Sequence, residues 1–422
     1  MSSKIKIGLL GCGTVGSGLV KILNNHKQVE IAKIFVRNEK RAKQIAKDLA
    51  LDLAIFTWNI DDVLTDSSIS IVVELMGGVD QTKKHLIKAL ENGKDIVTAN
   101  KDLLALEGDD LFAAAEKYKR TIMYEAAVAG GIPIITTLKQ SLAANKIICL
   151  QGILNGTTNY ILDVMKKEGK PFAEVLMAAQ ELGFAEADPT NDIDGHDAAY
   201  KVAILASIIS GKRVDVNKVY REGISKITKM DINSAQKRGY EIKLLGMIFN
   251  NEDKLDARVH PVFVPLDNPL ASVGMENNAI LVKGDASDTI TLIGKGAGSL
   301  PTASSVAGDI MILISKESSE PNPLQISNFT EAAELKNIDE VENSFYIRIS
   351  MHDKLGVLRD LGEALFRHNA NVKFIDQYDV HGSEAHADFI IDPIQEKELR
   401  AIVKDLEAMD SIKAVESVIR VL

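Results

Sequence analysis

A short apolar run, residues 5–10, passes directly into Gly11-Cys12-Gly13-Thr14-Val15-Gly16. Strand, glycine-rich turn and helix in that order narrow the fold sharply, because each glycine has its own steric task. Gly11 permits the tight turn, Gly13 lets the backbone approach a diphosphate, and Gly16 allows close packing of the helix. Thr14 and Val15 then occupy a helix start whose unpaired N–H groups and dipole favour an anion. The pattern reads as a Rossmann dinucleotide-binding domain, the competing reading being a glycine-rich turn in another α/β fold. The second strand ends Phe35-Val36-Arg37-Asn38, where an NAD-specific site usually carries an acid. Arg37 is a fork-shaped cation suited to a ribose 2′-phosphate, which favours NADP(H) over NAD(H). Glu39, two residues on, would serve NAD instead, and the plainer reading makes Arg37 a solvated loop residue.

β-rich runs at 31–36, 69–75, 95–97 and 121–124 alternate with helix-period segments, the pattern of a parallel sheet covered on both faces. A helix over 82–92 stops before Gly93, a residue suited to the left-handed position after a helix. The glycine-rich bend at Gly130-Gly131 precedes a helix begun by Pro133. Beyond it the pattern becomes mixed, with a strand at 147–154 and helices at 158–168, 172–182 and 194–209. The loop 294–298 leads to a helix through 310–314 that returns to the first domain. The expected organisation is a dinucleotide-binding domain of residues 1–132 plus 299–316, an α+β catalytic and oligomerisation domain of 133–298, and a linker of 317–342. In the last part, 343–422, runs at 345–350, 357–365, 372–380, 385–391, 396–409 and 415–421 spell β-α-β-β-α-β, with a turn at His381-Gly382. That is the ferredoxin-like order.

Charge and cysteine content exclude whole classes. Lys plus Arg number 49 against 59 Asp plus Glu, a formal net charge of −10, whereas nucleic-acid binders present basic surfaces. The two cysteines, Cys12 and Cys149, form neither a disulfide framework nor a metal motif. Apolar runs such as 202–209 stop far short of the ~20 residues of a membrane helix. Met1-Ser2-Ser3-Lys4 enters a strand without a secretory pattern. The expectation is a cytoplasmic protein that binds neither nucleic acid nor membrane.

The densest chemistry lies at 183–197, where Glu186, Asp188, Asp192, Asp194 and Asp197 fall within twelve residues and Lys201 follows. Acids gathered beside an apolar helix suggest a pocket for a cation. Asp194 suits a helix cap, and Asp197 and Lys201, four apart, share a helix face. Such a pair is also a common surface ornament worth ~0.2–0.5 kcal/mol. However, the run Val202-Ala-Ile-Leu-Ala206 after Lys201 argues for burial, and a lysine in a low dielectric loses its proton more readily and can serve as a general acid. Lys101 follows Thr98-Ala99-Asn100 at the carboxyl end of a strand, where open α/β sheets bind ligands, or else simply begins a surface helix. His196 reads as a local hydrogen-bonding residue.

With these residues in view, the chain resembles the homoserine dehydrogenases nearly end to end. Ala179, Gly183, Asp188-Pro189, Asp192-Ile193, Gly195, Asp197 and Lys201 fit the family signature, and Thr98–Lys101, Asn155-Gly-Thr-Thr-Asn159 and Gly298-Ser-Leu-Pro301-Thr-Ala are similar to family segments. The C-terminal unit resembles an ACT domain, an amino-acid-sensing module, although Asp353-Lys354-Leu355-Gly356 has leucine where that family's turn usually has proline. The resemblance implies reversible, NADP(H)-dependent reduction of L-aspartate 4-semialdehyde to L-homoserine, on the route to threonine and methionine. It implies Lys201 as proton donor and acceptor, Glu186 and Asp197 as substrate ligands supported by Asp192, and Lys101 at the nicotinamide and reacting end. Gly183 and Gly298 would line the cofactor pocket. Glu125 and the carbonyls of Val128, Gly130 and Ile132 would hold a monovalent cation, Na+ or K+. Feedback by threonine through the ACT-like unit and assembly as a homodimer or homotetramer are further implications. Two other functions compete: a different amino-acid-linked NADP oxidoreductase, and a non-catalytic regulator sensing NADP(H) and an amino acid.

Overall fold

The structure, a computed structural model, describes residues 4–250, 254–315, 329, 331–381 and 384–422. Most of the expected linker (residues 317–328 and 330), Met1-Ser2-Ser3 and Gly382 of the expected turn lie outside the described residues. The chain forms two compact units: Met1–Leu150, Ala199–Val219 and Asn277–Glu334 make one, and Gln151–Ala198, Tyr220–Glu276 and Leu335–Leu422 the other.

The first unit is built on six parallel strands in the order Phe56–Thr57, Val29–Phe35, Ile5–Leu10, Ile71–Glu74, Asp95–Thr98 and Ile122–Met123. Ile71–Glu74 is buried throughout, as expected where helices cover both faces of a parallel sheet. The chain order reverses between Ile5–Leu10 and Ile71–Glu74, the crevice where doubly wound sheets take their ligands. Helix Thr14–Leu23 packs on helix Ser299–Ile314, with Leu19, Val20 and Leu23 sharing a core with Val306, Ile310 and Leu313. Each such side chain stabilises by roughly 1.5–3 kcal/mol on full burial. Gly18 allows the approach, since a Cβ there would stand 2.5 Å from the Ser299 carbonyl oxygen. A hairpin, Asn277–Gly284 with Asp288–Lys295, also belongs to this unit. Pro133 introduces only the short helix Ile134–Thr136, which widens into a looser turn over Thr137–Ser141.

In the second unit, strands run in the order Tyr240–Asn250, Leu255–Pro265, Ile412–Val421, Glu342–His352, Glu384–Gln395 and Val372–His381. The first two pair antiparallel along their whole length, and neither was expected. Buried Lys243, Arg258 and His260 interrupt the apolar pattern that would have announced them. The last four strands, with helices Val357–Arg367 and Glu396–Glu407, realise the ferredoxin-like order. One face of Glu342–His352 puts Phe345, Ile347 and Ile349 against Leu361, Leu365, Leu399 and Ile402. Its other face, with Tyr346 and Arg348, is equally buried. Helix Lys229–Lys237 accounts for part of that cover: Arg348 donates to Asp231 at 3.0 Å, and Arg238 and Ser234 bond Asp388. Strand Ile412–Val421 then pairs parallel with Leu255–Pro265 through Val262↔Arg420 and Phe263↔Val421.

Two local expectations are corrected. The helix anticipated at 194–209 is His196–Ser210, and a separate turn Thr190–Ile193 precedes it. Asp194 therefore ends that turn, its N–H bonded to the Thr190 carbonyl, before Gly195 at φ +79 reverses the chain. In the segment expected as linker, Ala332 bridges to Arg213 in the first unit, while Leu335 bridges to Leu255 in the second. Among the described residues no helix is long and apolar enough to cross a membrane.

Candidate active site

In the first unit, Gly11, Gly13 and Arg37 line a groove of about 280 Å³ together with Cys12, Asn38, Arg41 and Leu75. The glycines divide as their chemistry requires. A Cβ on Gly11, which sits at φ +91, would meet the Leu75 carbonyl at 2.9 Å, and one on Gly16 would meet the Gly11 carbonyl at 2.7 Å. At Gly13 the nearest atom would be Arg41 Nη2, 3.8 Å away. Protein packing does not demand that glycine, so the space it leaves fits an approaching diphosphate. Thr14 and Val15 open the helix beneath, and Ser299 Oγ donates to the Thr14 carbonyl at 2.7 Å. That bond sets Gly298, at φ +119 before helix Ser299–Ile314, beside the fingerprint. Burial pushes the Cys12 thiol pKa up, which keeps it protonated and inert.

Glu74, fully buried at the carboxyl end of its strand, organises the neighbouring loop. Its Oε1 accepts from Met76 and Gly77 N–H, and its Oε2 accepts from Thr98 Oγ1 at 2.7 Å. Asn100 caps helix Lys101–Lys117 by accepting from Leu103 N–H, and it donates to the Gly78 carbonyl. Lys101 thus begins a helix at the carboxyl edge of the parallel sheet, about one-third exposed, with Asp102 at 3.8 Å.

The acid-rich loop is held in the second unit by a residue outside it. Asn155 caps helix Gly156–Glu168, and its amide donates to Asp192 Oδ1 at 2.7 Å and to Asp197 Oδ2 at 2.9 Å. One buried amide thereby fixes two carboxylates that sequence places five residues apart. Glu186 is exposed on the loop after helix Phe172–Glu181, its carbonyl receiving Gln180, so this contact does not include it. Gly183, at φ +76, terminates that helix and has a structural reason to be glycine. His196 has its pKa lowered, mainly by burial, in keeping with a neutral local role. Along helix His196–Ser210, Asp197 and Lys201 are one turn apart and both are buried, at 9% and 8% exposure.

The oxygens suggested for a monovalent cation lie in a turn where Ala129 and Gly130 are both left-handed, at φ 56 and 54. Glu125 is buried there, and its two oxygens accept from the N–H groups of Ile135 and Thr136, each at 2.7 Å. The Gly130 carbonyl accepts from Ser305 Oγ and that of Ile132 from Ile134 N–H. Each oxygen keeps further lone pairs, and a set with oxygens alone suits a hard cation. Burial raises the Glu125 pKa and drives that of the adjacent Asp309 well up, while burial lowers Lys139 to about 8.

Comparison with known proteins decides the family. A homoserine dehydrogenase model matches residues 133–311, a homoserine dehydrogenase NAD-binding model matches 11–125, and an ACT domain model matches 345–410. The homoserine dehydrogenase of Synechocystis sp. is 39% identical over 434 residues, covering 99% of both chains. That of Bacillus subtilis is 36% identical over 428 residues, covering 99% of this chain and 98% of the relative. The chain belongs to the homoserine dehydrogenase family. A crystal structure of a homoserine dehydrogenase from Thiobacillus denitrificans superposes with a TM-score of 0.92 at 37% identity, covering 100% of this chain and 98% of that one. A hyperthermophilic archaeal homoserine dehydrogenase solved in complex with NADPH has a TM-score of 0.63 at 26% identity over 73% of this chain and 97% of that chain.

As a homoserine dehydrogenase the protein is an oxidoreductase with an NAD-binding domain, a catalytic domain and an ACT domain. Three residues of its candidate site escaped the sequence reading: Arg41, Glu74 and the bridging role of Asn155. Arg41 lies in the first turn of helix Glu39–Leu49, four residues after Arg37 and across the cap Asn38, so its closeness to Arg37 in sequence could have flagged it. Nothing local points from Asn155 to carboxylates 37 and 42 positions away.

Proposed function

We propose that the protein catalyses the NADP(H)-dependent, reversible reduction of L-aspartate 4-semialdehyde to L-homoserine, within threonine and methionine biosynthesis. The observation that carries this reading is the buried Lys201 amine, one turn beyond a buried Asp197 that Asn155 ties to Asp192. A bound reduced nicotinamide supplies hydride to the aldehyde carbon. Lys201 stabilises the negative charge that develops on the aldehyde oxygen and delivers a proton to it. Asp197 and Glu186 take the substrate's α-ammonium, Asp192 supports them, and Lys101 assists at the nicotinamide end. Gly183 and Gly298 are assigned to the cofactor pocket on the resemblance. Cofactor binding is assigned to residues 1–132 with 299–316, catalysis and oligomerisation to 133–298, and regulation to 343–422. Homoserine-dependent reduction of NADP, followed by absorbance, tests the activity; no homoserine-dependent rate would end the assignment.

The preference for NADP(H) is supported by Arg37 and Arg41 on the fingerprint groove, where Glu39 is absent from the lining and instead pairs with Lys43 at 2.8 Å. The relative solved with NADPH points the same way. Charge-assisted hydrogen bonds contribute ~1.5–3 kcal/mol each. Replacing both arginines by alanine is therefore expected to lower kcat/KM for NADPH by about 10²–10⁴-fold while leaving that for NADH nearly unchanged. Equal losses with both cofactors would remove the 2′-phosphate role.

Three further assignments follow the family resemblance. Glu125 with the Val128, Gly130 and Ile132 carbonyls would bind Na+ or K+; exchange of both for tetramethylammonium is expected to lower Tm and turnover, and no change in either removes the cation. L-threonine is assigned as the ACT effector, so homoserine oxidation should fall as threonine is added; an unchanged rate removes that role. A homodimer or homotetramer is expected in light scattering, and a monomer would refute it. The free cysteines Cys12 and Cys149 support a reducing, cytoplasmic location, which fractionation of the source cells checks.

A further inference from the structure

The first unit contains a second cavity, of about 260 Å³, unused by the chemistry above. Its buried walls include Leu104, Ile204 and Val214. Its exposed rim carries Asp109, Arg213 and Asp215, with Arg213 Nη1 2.6 Å from Asp109 Oδ2. The rim carries two carboxylates and one guanidinium, Asp109 paired with Arg213 and Asp215 Oδ1 accepting from Asn217, so a simple anion meets net negative charge and a simple cation meets an arginine. A zwitterion satisfies both signs, placing its carboxylate on Arg213 and its ammonium on an aspartate. The apolar walls select an aliphatic side chain.

The cavity's position gives its occupancy a consequence. Leu104 lies one turn beyond Lys101 on helix Lys101–Lys117, and Ile204 one turn beyond Lys201 on helix His196–Ser210. Both helices that carry the candidate catalytic lysines therefore wall the same space. The first of them is bent where it borders the cavity: Glu107, between lining residues Leu106 and Gly108, leaves helical geometry at φ −134, ψ 17. Lys83 spans the bend, donating to Glu107 and Asp110, each at 2.8 Å. A bent helix whose bend is spanned by a flexible cross-strut is an element whose setting a ligand can bias. We infer that this cavity binds a free α-amino acid with an aliphatic side chain, and that its occupancy adjusts the setting of Lys101 and Lys201. The site is separate from the ACT domain, none of whose described residues lines it.

The test titrates the full chain with L-leucine, L-isoleucine and L-methionine by calorimetry and thermal shift, so binding is scored whether or not homoserine is the substrate. At least one of the three is expected to bind and raise Tm. 4-Methylpentanoate, which is leucine without its amine, should bind about tenfold or more weakly. Ala105→Phe, which fills the cavity, and Arg213→Gln should each weaken binding about 10–100-fold. Saturating ligand should change the homoserine oxidation rate without competing with homoserine. Absence of binding by all three, undiminished affinity in Ala105→Phe, or competition with homoserine would each overturn the proposal. If Ala105→Phe does not fold, Arg213→Gln and Asp215→Asn on the exposed rim decide by the same criterion.

Discussion

Replacing Lys201 by methionine should lower kcat for homoserine oxidation by roughly 10²–10⁴-fold, the range for a positioned acid–base group, with NADP affinity nearly intact. The cofactor groove draws its lining from the strands ending at Leu10, Phe35 and Glu74, so removal of the amine leaves it in place. Methionine suits the test because Lys201 is 8% exposed and followed by buried Val202 and Ala203. Methionine keeps the side chain's approximate volume while removing the charge, and because loss of one member of a buried charged group can itself destabilise, Tm is measured beside the rate. Stopped activity with an unchanged Tm would identify a chemical role. Near-native turnover would instead reduce the lysine to a helix ornament.

A second large effect is expected in the second unit. Arg348→Met should destabilise the protein by roughly 3–5 kcal/mol, because Asp231, at 0% exposure, loses the guanidinium that compensates it. With ~2–4 °C of Tm per kcal/mol for a unit of this size, the transition should fall by roughly 6–20 °C. Thr228 cushions the loss only in part, by donating its N–H and hydroxyl to Asp231 in a capping box. Thermal unfolding of Arg348→Met beside Arg348→Met/Asp231→Asn provides the check. The double variant should regain stability, and a single variant within ~1 kcal/mol of wild type, the typical size of an ordinary substitution, would show that the pair matters little.

How far the chain could be read in advance depended on the range of the forces involved. The fingerprint turn, the alternating strands before it and after it, and the ferredoxin-like order rest on local sterics and on hydrophobic period, so they were legible. The hairpin Tyr240–Asn250 with Leu255–Pro265 was not, because Lys243 is buried by bonding to Asn159 and the Val273 carbonyl, contacts 84 and 30 residues away. The same holds for Asn155 and for the Glu74–Thr98 bond, whose partners only the fold brings together. Spacing suggested the Asp197–Lys201 relation, whereas the amide that restrains Asp197 belonged to another element altogether.

The parallel seam between Leu255–Pro265 and Ile412–Val421 means that the ACT domain cannot be lifted away like an appendage. Cutting the chain near Glu320 to remove that domain would strip a ladder partner from Val262 and Phe263 and leave their backbone groups open to strands of other molecules. Asp231 and Arg238 would lose Arg348 and Asp388 in the same stroke. A point change in the Asp353–Gly356 turn, where Leu355 is fully exposed, would spare the shared sheet. Any domain grafted in place of the ACT domain would have to bring a compatible final strand.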